Sequence, residues 1–191
     1  MNLMKKLILA TAFLLYTLTT FSQTTDKEWF ASIGLNAINS AGKKSPINSP
    51  GDWANGLPIS AAVELSWASG FAIEQSVTFN KFSEDGIIDG VILTEDYNYI
   101  SFDTHAKYYF GKHIFPDLDW IDFYGNAGIG IFSIDETNIS ANLGGGVLFW
   151  FNRRKTIGVR VQTIAKFALD HKESGLDNNH FQTHLQLIFA L

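Results

Sequence analysis

Apolar and polar side chains alternate along most of this chain with a period of two, the pattern of a strand with two unlike faces. The run HFQTHLQLIFAL shows it most clearly: Phe181, Leu185, Leu187, Phe189 and Leu191 share one face with Thr183, and His180, Gln182, His184 and Gln186 share the other. In IGVRVQTIAKFAL, Ile157, Val159, Val161, Ala165, Phe167 and Leu169 oppose Arg160, Gln162 and Lys166. In YISFDTHAKYYF, Ile100, Phe102, Ala106, Tyr108 and Phe110 oppose Ser101, Asp103, His105, Lys107 and Tyr109. Weaker runs follow the same rule near Trp29–Ala41, Pro58–Ser69, Phe71–Ser83, Phe123–Asp135 and Ile139–Asn152. Within them Ile59, Ala61, Val63, Leu65 and Trp67 oppose Ser60, Glu64 and Ser66, and Ile73, Val77 and Phe79 oppose Glu74, Ser76, Thr78 and Asn80. No helical period of any length intervenes, so the pattern predicts eight strands.

The connections between them alternate in length. Residues 42–57, 84–96 and 171–179 are polar loops, whereas Ser69-Gly70 is a tight turn and Asn152–Thr156 is short and basic. Long loops on one side and short turns on the other is the arrangement of outer-membrane barrels. Two connections depart from it: residues 112–122 are long on the short-turn side, and Glu136–Asn138 is brief on the long-loop side.

Alternation alone fits a soluble barrel, whose apolar face turns inward, and a membrane barrel, whose apolar face turns out to lipid. Two features favour the membrane. The runs match the roughly 9–11 tilted residues that a transmembrane strand needs, against about 5–6 for an ordinary strand. The polar faces also carry mid-strand charges of both signs: Glu64, Glu74 and Asp103 are acidic, and Lys107, Arg160 and Lys166 are basic. In the narrow lumen of a small barrel such charges are stripped of water and must pair, which balanced signs permit. A closed barrel leaves no unpaired backbone group facing hydrocarbon. The expected fold is therefore all-β, an eight-stranded antiparallel up-and-down transmembrane β-barrel. Aromatic residues near strand ends suit interfacial belts. Trp67, Phe71, Tyr108, Phe110, Phe123, Tyr124, Phe149 and Phe151 would lie toward the short turns, and Tyr97, Tyr99, Phe167 and Phe181 toward the long loops.

The N-terminus and composition add a compartment. Met1–Gln23 opens with Lys5 and Lys6, continues through LILATAFLLYTL and ends in TTFSQ, the layout of a secretory signal peptide with cleavage near Ser22 or Gln23. Its apolar core is about a dozen residues, short of the roughly 20 that a spanning helix needs. The expected organisation is a signal peptide over residues 1–22 and a single barrel domain over residues 23–191. The absence of Cys excludes a thiol nucleophile, a zinc–thiolate site and a lipid-modified N-terminal Cys. A 14% aromatic content with 4 Pro and 16 Gly suits a β-rich chain. A formal net charge of -5 leaves no nucleic-acid footprint.

The segments EWFASIGLNAI, DWANGLPISAAVELSW, LDWIDFYGNAGIGIF and LGGGVLFWFNRRKTIGVRVQT resemble the N-terminal transmembrane barrel of OmpA-family outer-membrane proteins. HFQTHLQLIFAL resembles that family's closing strand, and the similarity spans essentially the whole mature chain. The resemblance implies an eight-stranded barrel with a polar, mostly plugged interior. Larger members carry a C-terminal periplasmic domain that grips peptidoglycan; this chain stops on its last strand, so wall anchoring is not among the expectations. It ends at Leu191, where many such barrels end in an aromatic residue resembling an assembly signal, a role open to Phe189 and Leu191.

The lumen set Glu64, Glu74, Asp103, Lys107, Arg160 and Lys166 is the leading candidate site. It is expected to form an ion-paired plug, with a gate or ion path as the alternative. His105 and His184 are expected to face the lumen, and His180 and His171 to lie near the long loops. No His pair has zinc-site spacing, so neither a metal nor a cofactor is expected. Asp170, His171 and Ser174 hold the ingredients of a hydrolytic triad but fall in a polar loop. LGGGVLF lacks the Lys-Ser/Thr of a phosphate loop; within a strand it marks a bend or a large side chain crossing the lumen, with Leu148 and Trp150 nearby. The resulting expectation is a structural, non-enzymatic protein of the cell outer membrane serving envelope integrity. The alternatives are a binding or adhesion module acting through loops 42–57, with Trp53, and 84–96, or a narrow channel. Expected partners are outer-membrane lipids and lipopolysaccharide, the barrel-assembly machinery during insertion, and an extracellular partner at those loops, with no nucleic acid.

Overall fold

The computed structural model describes residues 27–40, 56–88, 91–170 and 178–191. The signal-peptide segment, residues 42–55 with Trp53, His171 and Ser174 lie outside them. The chain forms β1 (Lys27–Ser40), β2 (Ile59–Trp67), β3 (Phe71–Phe82), β4 (Ile87–Ile88), β5 (Val91–Ile92), β6 (Tyr97–Tyr109), α1 (Gly111–Ile114), β7 (Ile121–Ser133), β8 (Thr137–Trp150), β9 (Ile157–Ala168) and β10 (His180–Ala190). Eight of these strands close into a barrel in the order β1-β10-β9-β8-β7-β6-β3-β2. Neighbours pair antiparallel throughout, and chain neighbours are barrel neighbours. The first and last strands seal it, from Phe30 opposite Ala190 to Ser40 opposite His180. Beyond that register the Leu191 N–H donates to the Trp29 carbonyl at 2.8 Å.

Each alternating run is a barrel strand, with ends shifted by a few residues. Two short elements escape the periodicity because they hold too few residues to display one. The 84–96 connection contains the hairpin β4–β5, with Ile87 opposite Ile92, rather than an unbroken loop. At its base Lys81 Nζ lies 2.5 Å from Asp96 Oδ2, a hydrogen bond that holds the Asp96 carboxyl below its ordinary range. The 112–122 connection begins with the single turn α1, closed by the Phe115 N–H donating to the Gly111 carbonyl at 2.8 Å.

The faces are inverted relative to a soluble protein. Along β6, Phe102 is 59% exposed while its neighbours Ser101 and Asp103 are buried. Along β10, Leu185 and Leu187 are exposed between buried His184, Gln186 and Ile188. An outer wall of Leu, Ile, Val and Phe around a core of Glu, Lys, Arg, Asn and Gln costs free energy in water and is favourable in hydrocarbon. Aromatic rings gather at the short-turn end of that wall, where Phe71 packs on Tyr108 at 4.8 Å between centroids and Trp120 stacks on Phe149 at 6.2 Å. Tyr99 and Tyr124 do not join the belts. Their positions share the parity of Ser101 and Asn126, so both rings point into the lumen and are fully enclosed.

Inside, apolar layers close both ends. At the short-turn end Phe30, Leu148, Trp150 and Ile188 pack together, with Phe30 and Trp150 5.6 Å apart. At the long-loop end Ile38, Phe82, Leu93, Tyr99, Phe132 and Ala168 form the second layer. Between them the wall is thinned by glycine where wide side chains cross. Added β-carbons at Gly144 and Gly146 would run into the Asn126 side chain and the Tyr124 ring, so these glycines make room for large lumen groups, Tyr124 and Asn126 rather than Leu148 and Trp150. A methyl on Gly128 would overlap the Thr104 carbonyl and press on the His105 ring, whereas one on Gly125, facing outward, would meet nothing nearer than 4.0 Å. Gly128→Ala should therefore lower stability by about 1–3 kcal/mol, and Gly125→Ala should change it by less than about 0.5 kcal/mol. Urea midpoints of the folded protein in micelles or vesicles measure both.

Candidate functional site

The lumen is built from the inward-facing positions of all eight barrel strands. Its lower tier starts from a conflict: Glu64 on β2 and Glu74 on β3 stand directly opposite each other in register. Two carboxylates so placed repel. Two cations resolve the clash. Lys107 Nζ on β6 lies 2.9 Å from Glu64 Oε2 and 2.6 Å from Glu74 Oε2. Arg160 on β9 reaches the same oxygens, with Nη1 2.9 Å from Glu64 Oε2 and Nη2 2.5 Å from Glu74 Oε2. The four charges form a neutral square in which every anion touches both cations. All four are essentially without solvent contact.

The square is held from outside by neutral groups. The Arg160 guanidinium also donates to Gln186 Oε1 at 2.8 and 3.0 Å and to Ser32 Oγ at 3.0 Å. The Tyr109 hydroxyl donates to Glu64 Oε1 at 2.7 Å. Lys107 rests 4.7 Å from the centroid of the Tyr124 ring, whose hydroxyl donates to Gln162 at 2.6 Å. Since β9 and β3 are four steps apart around the closed ring of eight, Arg160 braces diametrically opposite walls.

A second pair lies above. Lys166 Nζ on β9 is 2.5 Å from Asp103 Oδ1 on β6. The same oxygen accepts from Asn142 at 2.9 Å, and Asp103 Oδ2 accepts from the Ser101 hydroxyl at 2.9 Å. His105 sits between the tiers, its Nδ1 3.9 Å from Glu74 Oε1. His184 is buried across from it and 3.3 Å from Gln182. The top tier is uncharged: Tyr99 on β6 bonds His180 at 2.7 Å and Gln182 at 2.5 Å on the opposite strand β10. The three tiers convert a polar lumen into cross-struts between facing walls.

All six charges read from the sequence thus come together, four in the square and two in the upper pair. Sequence reasoning put Tyr109 and Gln186 on the polar face without assigning them to the charges, and it missed Tyr124, Ser32 and Asn142 and the apolar end layers. The signal for the layers was present, since Phe30, Phe132, Leu148 and Ile188 are apolar residues at polar-face positions. Of the triad ingredients Asp170 is described, and its carbonyl accepts from Asn138 at 2.7 Å. Among the described residues no group of three His, Asp or Glu side chains is arranged to hold a metal ion. A cavity of about 390 Å³ opens at the short-turn end between Phe30, Tyr109, Leu148 and Trp150, and of the six charges it reaches only Glu64.

Removing one partner of a buried pair strands the other. Lys166→Met should cost about 3–5 kcal/mol of stability, and Lys166→Met with Asp103→Asn should recover most of it. Arg160→Glu should prevent folding, because it places a third carboxylate against Glu64 and Glu74. Heat-modifiable gel migration and urea midpoints read both; equal midpoints for the single and double Lys166 variants would remove the pairing from the account.

No family model matches this sequence, and no curated protein matches it. Solved structures do. Neisserial surface protein A is similar with a TM-score of 0.53 at 11% identity, over 85% of this chain and 96% of that one. The N-terminal β-barrel domain of Pseudomonas aeruginosa OprF is similar with a TM-score of 0.45 at 12% identity, over 87% of this chain and 100% of that one. The outer membrane enzyme PagL is similar with a TM-score of 0.41 at 14% identity, over 87% of this chain and 100% of that one. The expectation of a non-enzymatic protein does not stand: PagL, among these structures, is an outer membrane enzyme, and likeness at 11–14% identity bears on the fold alone, so whether this chain is an enzyme is open. The chain has the eight-stranded up-and-down fold of outer-membrane barrels.

Proposed function

We propose that this protein is an integral barrel of the bacterial outer membrane whose lumen serves as a rigid brace rather than a conduit, and whose role is to support the envelope. The observation that carries the reading is the lumen's construction. Every charge in it is matched, apolar residues pack at both ends of the charged tiers, and the cavity at the short-turn end reaches no charge beyond Glu64. A path for ions needs water or replaceable ligands along its length, and an eight-stranded interior is only wide enough for side chains to fill. Residence in the outer membrane is supported by the lipid-facing wall, by the fold and by the signal-peptide layout of residues 1–22. Its lipid partners are those of that membrane, including lipopolysaccharide, and its insertion would use the barrel-assembly machinery.

A second reading, binding through the long loops, is favoured by one observation. The hairpin β4–β5 forms its own two-stranded sheet outside the barrel sheet and exposes Ile87 and, at 63%, Ile92. Planar-bilayer recording separates the readings from a channel: purified, folded protein should give no steady single-channel current, and large steady currents would refute the brace. For the loop reading, Ile87→Ser with Ile92→Ser should reduce surface attachment of expressing cells while barrel folding is unchanged. Undiminished attachment would remove that reading.

A further inference from the structure

Among the described residues, the lipid-facing wall away from the rims carries one side-chain amide, a group that lipid cannot satisfy. Gln75 on β3 points outward and is exposed, in a row that runs Val63, Gln75, Thr104, Ile129 across four adjacent strands. Its Nε2 donates to Thr104 Oγ1 at 2.8 Å, and the Thr104 hydroxyl donates back to Gln75 Oε1 at 3.1 Å. A primary amide has two N–H donors and two acceptor lone pairs. Thr104 uses one of each, leaving one donor and one acceptor directed at hydrocarbon. The position is well inside the membrane, four residues along β3 from the belt residue Phe71 and four along β6 from Tyr108. Among the described residues it is the one side-chain amide on the outer wall away from the barrel rims. Thr163 and Thr183, the other outward polar pair at this depth, bond each other at 3.1 Å.

Directly toward the short-turn end from Thr104 the same wall is hollowed. A groove of about 400 Å³ lies between Phe71, Tyr108 and Leu143, floored by Ala106, Gly125 and Ala127. A polar group that seeks a partner beside small residues that allow close approach is the combination by which protein surfaces associate within membranes.

We propose that this face, β3-β6-β7, is a homotypic interface, and that its occupant is a second copy of this chain. The spare donor and acceptor of Gln75 are self-complementary. Across a two-fold axis, Gln75 of one copy donates to Gln75 of the second copy and accepts from it, which is the isologous geometry closed dimers require. An acyl chain would fill the groove but leaves both amide groups unmet. The proposal rests on the membrane-barrel reading above.

The chain has no Cys, so a single introduced thiol reports unambiguously. Val77→Cys lies two residues along the same face from Gln75, and Val161→Cys lies on β9, diametrically opposite β3. Each variant is reconstituted in phospholipid vesicles at high lipid excess and oxidised, and folding is checked by heat-modifiable migration. Val77→Cys should cross-link to dimers and Val161→Cys should not. Adding Gln75→Leu should cut the Val77→Cys dimer fraction roughly tenfold, the effect of two hydrogen bonds of membrane strength. Gly125→Leu, whose β-carbon would meet nothing nearer than 4.0 Å and whose side chain would occupy the groove, should cut it comparably. Inserted, folded protein that yields no Val77→Cys dimers, or yields them undiminished with Gln75→Leu, or equally at Val161→Cys, overturns the interface. Failure to float with the vesicles at all would instead overturn the membrane reading.

Discussion

The structure depends on a single constraint: six charged side chains share a lumen too narrow for water to solvate them. Everything along the barrel's interior follows from meeting that requirement. Glu64 and Glu74 face each other across two strands, and alone they would push β2 and β3 apart. Lys107 and Arg160 convert the repulsion into a square; Tyr109 donates to Glu64, Gln186 and Ser32 accept from Arg160, and Glu74 Oε1 is left without a hydrogen-bond partner. The Asp103–Lys166 pair and the Tyr99–His180–Gln182 group repeat the solution at higher levels. Because the partners lie on facing walls, satisfying each charge also fixes the barrel's cross-section.

The exterior obeys the complementary constraint. Lipid solvates apolar groups and cannot hydrogen-bond, so closure satisfies the backbone and Leu, Ile, Val and Phe cover the wall. The same solvent makes Gln75 conspicuous, since an amide that would be unremarkable in water has unmet valence there. Inside and outside thus face one cost in two media, that of a polar group without a partner; the charged groups of the lumen are all paired, while Asn126 and Glu74 Oε1 bear that cost.

Much of this was legible in the sequence. Strand number and the faces of β2, β3, β6, β9 and β10 follow from a period of two, as Arg160, Gln162 and Lys166 against Val159, Val161 and Phe167 illustrate. The six lumen charges were legible for the same reason. Their pairing was not. Which cation meets which anion is set by barrel stagger and side-chain reach, and Arg160 finds Glu64 across 96 positions of chain. Tyr99 and Tyr124 were misplaced because an aromatic near a strand end suits either a lipid belt or a lumen plug. Parity with Ser101 and Asn126 was the better guide. The hairpin β4–β5 and the turn α1 are too short to carry a period. The non-enzymatic expectation failed for a different reason, since alternation describes a scaffold and says nothing of chemistry mounted on it.

The most direct test of the account is solid-state NMR on the protein in lipid bilayers, measuring through-space transfer from the Arg160 side-chain nitrogens to the carboxyl carbons of Glu64 and Glu74. Strong transfer to both, with no water correlation to the guanidinium, is the predicted result. A guanidinium that correlates with mobile water and with neither carboxyl would mean a hydrated lumen without a brace, and the account would be wrong.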